Sequence, residues 1–365
     1  MLNNGTIVRL GKDEVNLVER PWATLSTRPA VGSLIEHEWE TRHPITGKTL
    51  KAVWTVSGHA KLGLPTTTDE KLYLVLMELT REASSVQEVS FVRHDLLRRI
   101  GKSPNQRGYA ELRASFERLN GVAISSHNAF WDASSKSFVS TGFSLIDQYQ
   151  LVDSSAKGEN GELPLSSFRW NDVVFKNIVA GYIRSINLGF ALSLELPLSL
   201  RLYRYLDKKR FDGKRAFEIE LHKLCDLHLG MAVAKHNSVL KQRLKSAHEE
   251  LIRRGFLIEV SYLPMKTREG EKVRYSFGVN ITDDGEPTAP IDAAPKILKP
   301  KAAKAPDPAL PPAYLAACEA AYAGLPPASR AIIDREAAES GVDYRQLVWK
   351  YHNQDVGREL GPTRR

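Results

Sequence analysis

Three residues at helical spacing, His222, Cys225 and His228, are the first place in this chain to look for metal chemistry, because imidazole and thiolate are zinc ligands. Each step of three drifts by about sixty degrees around a helix, so the outer side chains converge poorly on one ion, and no fourth ligand stands at a conventional spacing. Cys225, flanked by Leu221, Leu224 and Leu229, reads as a core cysteine, and the histidines are left to cap or to contact nucleic acid. A nuclease or relaxase needs gathered carboxylates, or a tyrosine beside a histidine pair. Tyr203 and Tyr205 near Asp207 lie on a basic and apolar helix and read as packing residues, while Asp283, Asp284 and Glu286 fall in a tail. Gly101-Lys102-Ser103 lacks the preceding glycines of a phosphate loop. The expectation is no catalytic residue, no cofactor and no metal.

A different chemistry is carried by Lys235 to Arg254. Leu240, Leu244, Ala247 and Leu251 recur at steps of four, three and four on one helical face, and the other side holds Asn237, Lys241, Lys245 and His248 with Arg243 nearby. A helix packed on one side and positive on the other fits a major groove, where base edges offer acceptors to Lys, Arg and Asn. Gly255 stands where a helix stop belongs, and the alternating runs Leu257 to Leu263 and Val273 to Val279 read as two strands. Their polar tip contains Lys266, Arg268 and Lys272, suited to lie along phosphates. Together these are the signature of a winged helix-turn-helix.

The bland alternative is a solvated helix and hairpin, and a second copy of the unit argues against it. Thr68 to Leu79 reads as a helix with Thr66 to Thr68 as caps, and Phe91 to Ile100 as a short helix before Gly101. A longer helix follows with the stripe Tyr109, Leu112, Phe116 and Leu119, ended by Gly121, with Arg107, Arg113 and Arg118 beside Glu111 and Glu117 on its exposed side. The ribbon Val122 to Ser126 and Ser137 to Ile146 has its tip at Asn128 to Lys136, with Trp131 on it. In the downstream copy, Leu198 to Lys209 packs through Leu202, Tyr205 and Leu206 and keeps Arg201, Arg204, Lys208 and Lys209 in water. His222 to Leu229 is its short helix.

The resulting fold class is α+β: tandem winged helix-turn-helix domains with a flexible linker and a small helical tail. Residues 1–54 form an N-terminal arm, 55–152 the first winged domain and 153–196 an interdomain connection, in which Phe190 to Leu196 alternates like a strand. The second winged domain spans 197–281, the Pro- and Ala-rich linker 282–312 and the helical tail 313–365. A net charge of +8 attracts polyanions. Two cysteines, no signal-like opening and no apolar run of membrane-spanning length point to a reducing cytoplasm and no membrane partner.

Leu64-Pro65-Thr66-Thr67-Thr68-Asp69-Glu70-Lys71, Phe91-Val92-Arg93-His94-Asp95-Leu96-Leu97, Tyr109-Ala110-Glu111-Leu112 and Phe168-Arg169-Trp170-Asn171 carry a likeness to a known family. Through them residues 55–280 resemble the replication initiator protein A family of bacterial plasmid initiators. The resemblance implies binding of directly repeated double-stranded origin DNA by both domains, origin opening, and recruitment of host replication proteins. It further implies single-stranded DNA and a second copy of the chain as partners. A winged-helix transcription regulator or autorepressor without initiator activity is the alternative, and a nucleoid-type architectural protein a third reading.

Overall fold

The computed structural model describes residues 9–28, 31–42, 49–152, 165–210, 214–232, 234–265, 270–278, 312–340, 343–345 and 347–348. Lys266 and Arg268 in the ribbon tip, the loop 153–164 and the linker expected at 282–312, but for its final Pro312, lie outside these residues. The chain divides into two compact units, Met1–Pro295 and Lys296–Arg365.

In the larger unit the order helix, short helix, longer helix, antiparallel ribbon occurs twice. The first lobe has Thr67–Glu82, Arg93–Arg99, Gln106–Gly121 and the strands Ala123–Asp132 and Ser137–Phe143. The second has Pro197–Lys209, a short helix from Leu221 whose last turn, Leu224–His228, is wound more widely, then Asn237–Arg253 and the strands Leu257–Pro264 and Glu271–Phe277. One continuous apolar core runs through both lobes, from Leu17 to Phe277.

Local chemistry explains most helix ends. Thr66 and Asp69 form a reciprocal capping box, with the Thr66 amide donating to Asp69 Oδ2 at 2.6 Å. Asn105 caps Gln106–Gly121 by accepting from the Gly108 amide at 2.8 Å, and Pro197 opens its helix at the first turn. Gly255, at φ +77°, supplies the left-handed residue that stops Asn237–Arg253. Gly121 works differently from the helix stop expected there. It stays helical, and a Cβ on it would come within 2.5 Å of the His59 ring, so close approach requires the glycine.

Residues 10–57 correct the expectation of an arm. Leu34–Arg42 and Thr49–Ser57 extend the first ribbon into a four-stranded antiparallel sheet, in the order 34–42, 49–57, 123–132, 137–143. Upstream, Leu10–Glu14 pairs antiparallel with Ile183–Asn187 and runs into the short helix Val15–Glu19, a strap between the lobes. The hairpin 34–42 with 49–57 is local, and Ala52, Trp54 and Val56 alternate onto its buried face, whereas the strap depends on a partner about 170 residues away. Phe190 to Leu196 is also not a strand: Leu188–Ser193 is helical, capped by Asn187. Trp131 is not at a tip either. It lies in the strand Ala123–Asp132, buried, and its backbone exchanges hydrogen bonds with Asn16 (2.9 and 3.0 Å) while its carbonyl also accepts from Asn177 (2.9 Å).

The central helix Pro197–Lys209 brings the largest correction, since Arg201 and Arg204 are buried rather than wet. Arg204 grips Asp13 bidentately at 2.7 and 2.9 Å and reaches Glu70. Arg201 donates to the Leu17 and His228 carbonyls at 3.1 Å each. Lys208 and Lys209 meet Glu19 at 2.6 and 2.7 Å. Strap, first lobe and second lobe thus converge on one buried ionic hub, whose charges are tolerable only because each is paired.

The smaller unit packs Pro312–Gly324 and Pro327–Ser340 with Leu347 and Val348 around Cys318, Leu325 and Ile333. No described helix is long and apolar enough to cross a membrane.

Candidate nucleic-acid interface

The third helices, Gln106–Gly121 and Asn237–Arg253, have the same internal register. With Leu112 placed on Leu244 and Leu119 on Leu251, all four buried, Ser115 falls on Ala247, Phe116 on His248 and Arg118 on Glu250. The outward positions then coincide: Ala110 with Gln242, Arg113 with Lys245, Ala114 with Ser246 and Glu117 with Glu249. Steps of four, three and one place each set on a single face away from the leucines. Ala110, Arg113, Gln242, Lys245 and Ser246 are exposed, and Ala114 is half-buried.

Several expected contacts stand on these faces and others do not. Arg113 and Lys245 are exposed, and the Lys245 ammonium is 3.8 Å from Glu249 on its own helix. Arg107 is exposed at the start of the first row and donates to Glu111 at 2.9 Å. Hydrogen bonds from Lys102 and Arg107 hold the Glu111 carboxyl below its usual range. Arg243 is exposed on the flank, one of its guanidinium nitrogens donating to the Ala232 carbonyl at 2.8 Å.

Arg118 and His248 are corrections. Arg118 is buried and donates to both carboxylate oxygens of Asp69 at 2.7 and 2.8 Å, which fastens the third helix to the first. His248 packs beside Tyr262 and Tyr275, with Nε2 3.1 Å from the Tyr275 hydroxyl, and burial pushes its pKa down to about 4. Neither side chain is presented to a ligand. Asn237 and Lys241 face the lobe's own flanks: the Asn237 amide oxygen lies 2.7 Å from His222 Nε2. The Lys241 ammonium is 2.6 Å from Glu271 and 4.6 Å from the centre of the Tyr262 ring. Lys272 sits 4.0 Å from Glu218 at the ribbon's neck.

Gln242 and Ser246 are what the reading of the sequence missed. Gln242 opens the exposed row and Ser246 lies within it, and the Gln242 side chain makes no hydrogen bond among the described residues. The signal was present, since both lie opposite the Leu240, Leu244 and Leu251 stripe. Selecting residues by charge rather than by angle passed over them.

The histidine and cysteine trio does not converge. His222 faces Asn237, Cys225 is buried with its thiol pushed up to about 12, and His228 Nδ1 is 3.0 Å from the Glu19 carbonyl. Among the described residues no group of three or more His, Cys, Asp or Glu is arranged to hold a metal.

Comparison with known proteins adds a family. Solved structures similar to this chain include domains 2 and 3 of RctB, with TM-score 0.45 and 15% identity over 73% of this chain and 98% of that one. Another is the Pi initiator protein in complex with iteron DNA, with TM-score 0.43 and 16% identity over 59% of this chain and 91% of that one. No curated protein matches. The sequence model of the family Replication initiator protein A matches residues 12–248, beginning in the strap rather than at residue 55 and ending within the last third helix. The chain belongs to the replication initiator protein A family.

Proposed function

We propose that the two lobes are tandem winged helix-turn-helix units and that the chain is a sequence-specific plasmid replication initiator. Its third helices enter successive major grooves of directly repeated origin DNA. The observation that carries this reading is the matched pair of exposed rows, Ala110 to Glu117 and Gln242 to Glu249, each with one basic residue at the same register position. A basic chain of net charge +8 adds long-range attraction to the duplex. Arg107 and Arg243 flank the rows where phosphates pass, and Lys272 with Lys266 and Arg268 serves the ribbon's phosphate contact. Origin opening, recruitment of host replication proteins, and contacts with single-stranded DNA and a second copy of the chain complete the proposed role; family membership supports them. No step requires catalysis, cofactor or metal, and the protein works in the cytoplasm.

The test uses purified full-length chain on supercoiled plasmid carrying the repeats beside its gene. Permanganate-reactive thymines next to protected repeats, without nicking and without a need for ATP, are expected. Protection with no melting moves the protein to the regulator class, and a nick lost on replacing one tyrosine moves it to the enzymes.

A further inference from the structure

The two exposed rows share a register but differ at the positions that would meet bases, and this difference amounts to a code. Ala110 stands where Gln242 stands, Arg113 where Lys245 stands, and Ala114 where Ser246 stands. Gln242 and Arg113 are exposed, and neither side chain makes a hydrogen bond or ion pair among the described residues. An outward glutamine in the middle of a helix offers a carbonyl that accepts from adenine N6 and an amide NH2 that donates to adenine N7 in the major groove. Arginine offers the planar fork that fits guanine O6 and N7, whereas lysine is a point charge that serves a base or a phosphate with less geometric demand. An alanine methyl can only be read by an apolar partner, and the thymine methyl is the one the major groove presents.

We infer that Gln242 and Arg113 are the specificity-determining residues of this chain. Gln242 selects an adenine in the segment under the second lobe. Arg113 selects a guanine under the first, where Ala110 and Ala114 rest on thymine methyls. This rests on the reading of both lobes as groove binders. It goes further in that the two segments differ at equivalent positions, so a binding site is asymmetric and reads in one direction. An initiator lined along direct repeats needs such polarity, which a palindromic code would erase.

Selection from a duplex library with a randomised site tests the inference, using full-length wild type, Gln242→Ala, Ala110→Gln and Arg113→Lys. All three substitutions are on exposed positions, and unchanged thermal melting confirms the fold. Gln242→Ala is expected to lose one adenine preference by roughly tenfold and to keep the other positions. Ala110→Gln is expected to install an adenine preference in the other segment, and Arg113→Lys to relax one guanine there. A wild-type consensus that Gln242→Ala and Arg113→Lys leave unaltered overturns the code while sparing the initiator reading. A wild type that enriches no sequence overturns both.

Discussion

The two third helices are fastened to their lobes by the same position with opposite charge. In the first lobe Arg118 reaches from the third helix to Asp69 in the first turn of Thr67–Glu82. In the second, Glu250 reaches from the third helix to the amides of Glu195 and Leu196, at 2.8 and 3.2 Å, where Pro197–Lys209 begins. One lobe uses an ion pair, the other a carboxylate on the open amides of a helix N-terminus. Burial would raise the Glu250 pKa, but those hydrogen bonds and the nearby Arg254 hold it below its usual range. The conserved quantity between the lobes is the lock and its location rather than the sign of its charge. A basic residue on a third helix is therefore not by itself a nucleic-acid contact, and its angle on the helix decides.

The ribbons differ in the same spirit. The first is widened by the strands 34–42 and 49–57 and pinned at Trp131 to Asn16 and Asn177, making it part of the joint between lobes. The second has three strands, in the order 216–220, 271–277, 257–264. On this account the second ribbon is the better candidate to lie along a backbone, and the first contributes chiefly through its helix.

Substitutions should break the comparison in a graded order. Arg204→Ala leaves Asp13 and Glu70 buried without their shared guanidinium and should cost about 5 kcal/mol, loosening both lobes together. Arg118→Ala strands one buried carboxylate and should cost about 3–5 kcal/mol. Glu250→Ala removes a charged acceptor from backbone amides and should cost about 1–3 kcal/mol. Urea denaturation followed by circular dichroism ranks the three. An Arg118→Ala chain as stable as wild type but weaker on DNA would return Arg118 to the interface.

The sequence showed the repeated unit clearly because each copy writes its own periodicity. Leu240, Leu244 and Leu251, like Leu112, Phe116 and Leu119, recur on one face, and that face alone fixes which residues point outward. The strap and hub were not legible. Arg204 looks exposed when read beside Arg201 and Lys208, and only Asp13, 191 residues away, and Glu70, 134 away, make it a core residue. Arg118 reads as an exposed contact for the same reason, its partner Asp69 lying 49 residues upstream. Long-range ion pairs leave no periodic mark, whereas apolar stripes do.

Acidification should separate the lobes next. Burial takes His248 and His228 down to about 4, so the folded state favours both imidazoles neutral. Their contribution is present above the ordinary value of 6.5 and is lost as pH falls towards 4. At pH 5 each should cost about 2 kcal/mol. Glu14 in the strap behaves oppositely, because burial raises its carboxyl from 4.5 to about 7. Its contribution is complete below 4.5 and is lost as pH rises through 7, so acid strengthens the strap while weakening the second lobe. Hydrogen exchange at pH 7 and 5 should show faster opening at 237–253 than at 106–121. His248→Phe, which copies the first lobe's Phe116, should reduce that difference. Equal acceleration in both helices would contradict this assignment.

The smallest effects are expected at basic residues already engaged within the protein. Lys241→Ala gives up a pair with Glu271 and should change DNA affinity by less than Lys245→Ala does. Lys245→Ala should weaken binding and lower the slope of log affinity against log salt by about 1 if it meets a phosphate. Titrations across a salt series distinguish the two.

The central claim, that both lobes read DNA through their exposed rows, is tested most directly by hydroxyl-radical footprinting of the repeat with wild type, Arg113→Ala and Lys245→Ala. Wild type should protect two separate segments per protomer, Arg113→Ala should weaken one and Lys245→Ala the other. A single protected segment, or the same segment lost in both variants, would contradict it.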